Sequence, residues 1–140
     1  MWLLLAFGSA LFAALVAIFA KLGLSKIDST LATTVRSIIM ALFLFVLSVV
    51  LRKFDGFSLH DLTGKQWSYI VLAGIAGALS WLCYFAAIKL GNVPKVVAID
   101  RTSVIFVLVF SILVLGDALT WKSAVGALLI TGGAILMTVK

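Results

Sequence analysis

The run VVAIDRTSVIFVLVFSILVL, Val96–Leu115, decides the fold class. It holds 20 residues, and apart from Asp100, Arg101, Thr102, Ser103 and Ser111 every one is apolar. A helix needs about 20 mainly apolar residues to cross a hydrocarbon core of roughly 30 Å. Lipid offers no partner to a backbone N–H or C=O, so such a run must close its hydrogen bonds internally as a helix. The alternation over about 10 residues that marks a membrane β-strand is absent. Four more runs of this kind flank it, at 2–20, 31–51, 67–88 and 123–139. The expectation is an all-α membrane protein with five transmembrane helices in a single domain over residues 1–140.

Composition agrees. Of 140 residues, 64% are hydrophobic and 11% charged, with a mean hydropathy of +1.30. A soluble domain is roughly half apolar and about a quarter charged. A soluble enzyme, a disordered tail and a disulfide scaffold are therefore excluded. The net charge is +6, but the 11 Lys and Arg residues stand singly or in pairs, which is no footprint for nucleic acid. Cys83 is the lone cysteine and lies within an apolar run.

Short polar hinges separate the runs. Asp28 and Ser29 suit the cap of the second helix. Asn92, Val93 and Pro94 suit the cap and first turn of the fourth. Gly116-Asp117 ends the fourth, and Thr120 suits the cap of the fifth. The longer connector, Arg52–Gln66, carries the turn signals Asp55-Gly56 and Thr63-Gly64. The first run lacks a positive segment before it and exceeds the 7–15 apolar residues typical of a leader, so it reads as a structural span.

Five spans put the two termini on opposite faces. On the N-terminal face lie Arg52, Lys53, Lys65 and Lys122; on the other lie Lys21, Lys26, Lys89, Lys95 and Lys140. Trp2, Trp67 and Trp121 all begin helices on the N-terminal face, where an aromatic belt sits. Four cations against five is a near balance. It fits a weakly biased fixed orientation, and equally insertion of copies both ways. An odd number of spans makes a second copy inverted relative to the first, the arrangement from which many transporters build two exchangeable conformations.

Ionisable residues inside a span cost about 2.5–3.5 kcal/mol even on insertion scales and point to function. Arg36, Asp100 and Arg101 qualify, with Asp100 the acidic residue within a span. At 1.5 Å per residue they fall roughly 7–10 Å in from the C-terminal face, and Trp81 and Tyr84 roughly 8–12 Å in. Ser80, Trp81 and Tyr84 share a helix face with Gly77. This layer suits a small polar or zwitterionic solute. Its guanidinium groups grip carboxylate or phosphate, its rings stack, and Asp100 is the candidate for ion coupling. A structural reading stands beside it: Asp100 pairs with Arg36 to hold two helices together, Arg101 snorkels to the interface, and the flanking Thr33, Ser37, Thr102 and Ser103 bond back to their own helices. Gly126 and Gly133, seven residues apart on the fifth run, form a small-residue face suited to a dimer contact or to packing within the subunit.

Several segments resemble one family. They are Lys95–Val107 continuing to Leu115–Thr120, Ile27–Arg36, Gly77–Tyr84 and Gly126–Gly133. Together they resemble the EamA-type repeat of single-repeat bacterial and archaeal members of the drug/metabolite transporter superfamily. The resemblance implies a multi-pass transporter of the cell (inner) membrane that works as an antiparallel homodimer. This sequence has Asp117 where such repeats often carry Glu. It has Ala98 where they often carry Pro, a change expected to leave the fourth helix straighter.

The function expected is secondary transport of a small polar or zwitterionic metabolite or drug-like solute by alternating access. The alternatives are a multidrug exporter of lipophilic cations, like the small multidrug resistance proteins, and a non-transporting membrane assembly subunit. No catalytic constellation, metal site or cofactor is expected. The single histidine, His60, reads as solvated in the connector with Asp55 and Asp61, and no phosphate-cradling glycine loop is present.

Overall fold

The computed structural model describes residues 1–24, 26–56, 58 and 62–139. His60 and Asp61 of the connector lie outside the described residues. Five helices are long and apolar enough to cross a membrane, and no strand occurs among the described residues. They are α1 (Trp2–Gly23), α2 (Ser29–Val50), α3 (Gly64–Leu90), a composite fourth span (Val93–Leu115) and a last helix (Trp121–Thr138). The fourth span consists of α4 (Val93–Asp100), α5 (Ser103–Phe110) and a π-type turn over Ser111–Leu115; the last helix is α6.

Polar end residues, invisible to hydropathy, set where these helices begin. Thr63 and Gln66 form a reciprocal capping box. The Thr63 N–H donates to Gln66 Oε1 at 2.9 Å, and the Gln66 N–H to Thr63 Oγ1 at 3.4 Å. Helix α3 therefore begins at Gly64, three residues before the apolar run. Asp28 caps α2, accepting from the N–H of Thr30 at 2.9 Å and of Leu31 at 3.1 Å. Thr120 caps α6, accepting from the Ser123 N–H at 3.2 Å. Asn92 holds the cap position of α4 with an extended backbone but makes no side-chain cap bond, and Pro94 occupies the first turn.

The fourth span departs from the straight helix expected from Ala98. It tightens at Arg101 and Thr102, whose ψ angles are −14° and −13°. There the bonding switches to three-residue steps: Thr102 N–H to Ile99 O at 2.9 Å, Val104 to Arg101 at 3.3 Å and Ile105 to Thr102 at 3.0 Å. The Thr102 hydroxyl donates to the same Ile99 carbonyl at 2.7 Å. A threonine competing for the carbonyl three residues back achieves here what proline achieves elsewhere. The span ends at Gly116, whose φ of +71° only glycine adopts without steric cost. Its N–H reaches back to the Ser111 carbonyl and closes the wider final turn.

The chain divides into two compact units, Met1–Leu22 with Leu90–Lys140, and Gly23–Lys89. In the first, α6 packs on α4 and α5. Ala17, Ala127 and Ala134 are its buried residues among those described, small side chains that let helix backbones approach. In the second, Leu24, Thr33, Phe85 and Ile88 are buried. Most of the Leu, Ile, Val and Phe side chains on the helices face outward, as they do where lipid is the solvent.

Backbone N–H donors from Leu31 and Thr30 hold the Asp28 carboxylate below its ordinary range, with the Lys89 charge adding to the effect. Folding thus favours the ionised form. Its contribution is complete above the ordinary carboxylate range and is lost as pH falls through the lowered folded value. Thermal unfolding of Asp28→Ala in micelles is expected to show a lower Tm than wild type at neutral pH, and the gap is expected to shrink on acidification through that range.

Candidate functional site

The site is built on the pair α2 and α3 within the unit 23–89. Lys89, near the end of α3, donates through Nζ to the Ile27 carbonyl at 2.8 Å, just ahead of the Asp28 cap. This contact sets the end of α3 beside the start of α2. From there the register follows by arithmetic. Arg36 is seven residues into α2 from Ser29, about 10 Å. Phe85 and Trp81 lie five and nine residues before Leu90 on α3, about 8 and 14 Å in. The guanidinium is therefore level with the gap between the two rings.

The contacts match that register. The Arg36 guanidinium carbon lies over the Trp81 ring, 3.9 Å from its centroid, and 5.0 Å from that of Phe85. Trp81 and Phe85 stack at 5.3 Å with 28° between planes. Tyr84 meets both edge-on, at 5.6 Å from Trp81 and 5.7 Å from Phe85. Phe85 is 3% exposed, whereas Arg36, Trp81 and Tyr84 are half-buried and border the site. Thr33, one turn before Arg36, and Ser37, directly after it, donate to the Ser29 carbonyl at 2.7 Å and the Thr33 carbonyl at 2.8 Å. Their donors are used within α2, as expected for hydroxyls in a span.

Within this unit and among the described residues, no carboxylate meets the Arg36 guanidinium; its partners are aromatic faces. A ring over the guanidinium face compensates part of the lost hydration. It leaves the in-plane N–H groups, which grip carboxylate or phosphate in pairs, to another partner. The structure thus brings Arg36, Trp81 and Tyr84 together and adds Phe85, which the sequence reading had missed. The available signal was the spacing of Trp81, Phe85 and Ile88, four and three residues apart on one face. Ser80, on the same helix, is exposed.

Asp100 and Arg101 belong to the other unit and are both exposed. They sit at the tightened step of the fourth span, with Asp100 seven residues in from Val93. On α6, Gly126 is half-buried and Gly133 exposed, and nothing lies within 4 Å of a Cβ built on either. The buried face of that helix runs one residue on, through Ala127 and Ala134, with the Thr131 hydroxyl bonded to the Ala127 carbonyl at 2.9 Å.

Residues 1–139, which include all five spans, match the EamA-like transporter family. The chain belongs to that family. A Sinorhizobium protein described as an uncharacterized transporter in the cobO 3′ region is 35% identical over 138 residues, which is 99% of this chain and 96% of the relative. No solved structure matches. The protein is a multi-pass membrane transporter of the EamA-like family, and its unit of residues 23–89 carries an arginine-on-aromatic cluster between α2 and α3.

A double-mutant cycle measures that cluster. Arg36→Met and Trp81→Leu, singly and together, are expected to show a coupling of about 1–2 kcal/mol in denaturant unfolding in micelles. A coupling near zero means that the two side chains act independently.

Proposed function

We propose that this protein is a secondary transporter for a small polar or zwitterionic solute carrying an anionic group, working by alternating access as an antiparallel homodimer. The observation that carries the reading is the Arg36 guanidinium resting on Trp81 and Phe85. A permanent carboxylate partner neutralises an arginine and locks it in place. Aromatic faces stabilise the cation while leaving it attractive to an incoming anion. Trp81 and Tyr84 then flank the bound solute, with Ser80 on the same helix. Asp100 is the proposed ion-coupling group and Arg101 a second cationic contact. The lipophilic-cation alternative is weaker, because the Trp81 ring face that a cation needs is already taken by Arg36.

Five spans and a near balance of flanking cations support the antiparallel arrangement. The Gly126 and Gly133 face of α6 is the proposed contact between copies. The bacterial relative supports placement in a bacterial or archaeal cell membrane.

Transport is tested by reconstituting the protein in liposomes and following uptake of labelled amino acids, organic acids and cationic dyes. Wild type is expected to move a carboxylate-bearing solute. Arg36→Gln is expected to lower its kcat/KM at least tenfold, and Arg36→Lys to rescue it only in part, since an ammonium cannot grip a carboxylate in a fork. Full transport by Arg36→Gln overturns the assignment.

Orientation is read separately with C-terminal fusions to a cytoplasmic and a periplasmic reporter. Activity from both is expected. Activity from one alone removes the antiparallel homodimer and leaves the assignment of Arg36 standing.

A further inference from the structure

The unit formed by residues 1–22 and 90–140 contains an open groove of about 320 Å³, at the lower end of the range for ligand pockets. Its walls come from three helices: Ala17 and Ile18 of α1, Pro94, Val97 and Ala98 of α4, and Met137 of α6. No polar side chain lines it, so a polar solute finds no hydrogen-bonding partner there.

All of these positions lie near the helix ends that share the face opposite the N-terminus, and that rim is basic. Lys21 follows Ile18 by three residues on the same side of α1. Its Nζ donates to the Gly91 carbonyl, just ahead of α4, at 2.9 Å. Lys95 stands next to Pro94, and its Nζ donates to the Thr138 carbonyl at 3.2 Å, one residue beyond Met137. Each bond holds an ammonium group at a helix end bordering the groove, at the depth where lipid headgroups lie.

An apolar channel with two ammonium groups at its headgroup end has the charge pattern of one ligand class. We propose that the groove binds an anionic phospholipid, with an acyl chain against Ala17, Val97, Ala98 and Met137 and the phosphate between Lys21 and Lys95. The alanines supply the depth, since larger side chains at 17 and 98 fill the channel. Lipid bound here braces α1, α4 and α6 at one membrane face. The site is independent of whatever solute the Arg36 cluster serves.

The test is native mass spectrometry of the full chain in mild detergent, titrated with phosphatidylglycerol or phosphatidylcholine of identical acyl chains. Wild type is expected to bind the glycerol lipid more tightly. Lys21→Gln and Lys95→Gln are each expected to lower that affinity about fivefold, the worth of one basic side chain near an anionic surface, and to leave phosphatidylcholine unchanged. Ala98→Phe is expected to weaken both lipids about tenfold by filling the channel. Val97→Phe serves the same purpose if Ala98→Phe fails to fold. Equal binding of the two lipids by wild type overturns the proposal, as does unchanged binding in the filled variants. A filled variant that loses self-association while keeping its lipid also overturns it and assigns the groove to a second copy.

Discussion

Hydrocarbon supplies no hydrogen bonds, and this constraint shapes the polar side chains of the spans. The hydroxyls of Thr33, Ser37 and Thr131 each return to a carbonyl one turn back on their own helix. Polar residues can thus enter an apolar helix without leaving an orphaned donor. Arginine cannot use that device, because its donors project too far from the backbone. Arg36 instead meets neutral aromatic faces, which hold the cation without cancelling it. The aromatic faces make the charge tolerable in the span.

The same constraint shapes the fourth span. Where Asp100 and Arg101 interrupt the apolar run, Thr102 brings both its N–H and its hydroxyl to the Ile99 carbonyl, and the helix tightens. The step therefore falls directly after Asp100, on Arg101 and Thr102. Three-residue bonding keeps the backbone satisfied while changing the pitch, which re-aims the side chains on either side. Proline is the usual cause of such a step within a helix. Here a step occurs without one, beside the local competition of Thr102, four residues beyond Ala98.

Lysines act at the ends of the helices. Lys21, Lys89 and Lys95 each donate to a backbone carbonyl at or near a helix terminus contributed by another part of the chain. The Gly91 and Thr138 carbonyls follow or end α3 and α6, at the negative end of the helix dipole, whereas that of Ile27 precedes the cap of α2. A cation on a long stem can meet them while its methylenes remain in the apolar layer. The near balance of charge between the two faces, a matter of topology when counted, is locally a set of fastenings.

The sequence by itself determined the architecture, because length and hydropathy leave a chain in lipid with one regular option. The five spans and the caps at Asp28 and Thr120 follow from residue types and local spacing, and so does the back-bonding of Thr33, Ser37 and Thr102. The capping box at Thr63 and Gln66 was legible in principle, as a spacing of three, although hydropathy placed the start of that helix later. The gathering of Arg36 with Trp81 and Tyr84 was foreshadowed by depth, which needs only the rise per residue. Which ring takes the guanidinium, and that Phe85 is the buried base of the cluster, depended on the rotation of α2 and α3 about their axes. Only the tertiary structure decided that, because nearly every face of these helices is apolar and no hydrophobic stripe records which side turns toward a neighbour.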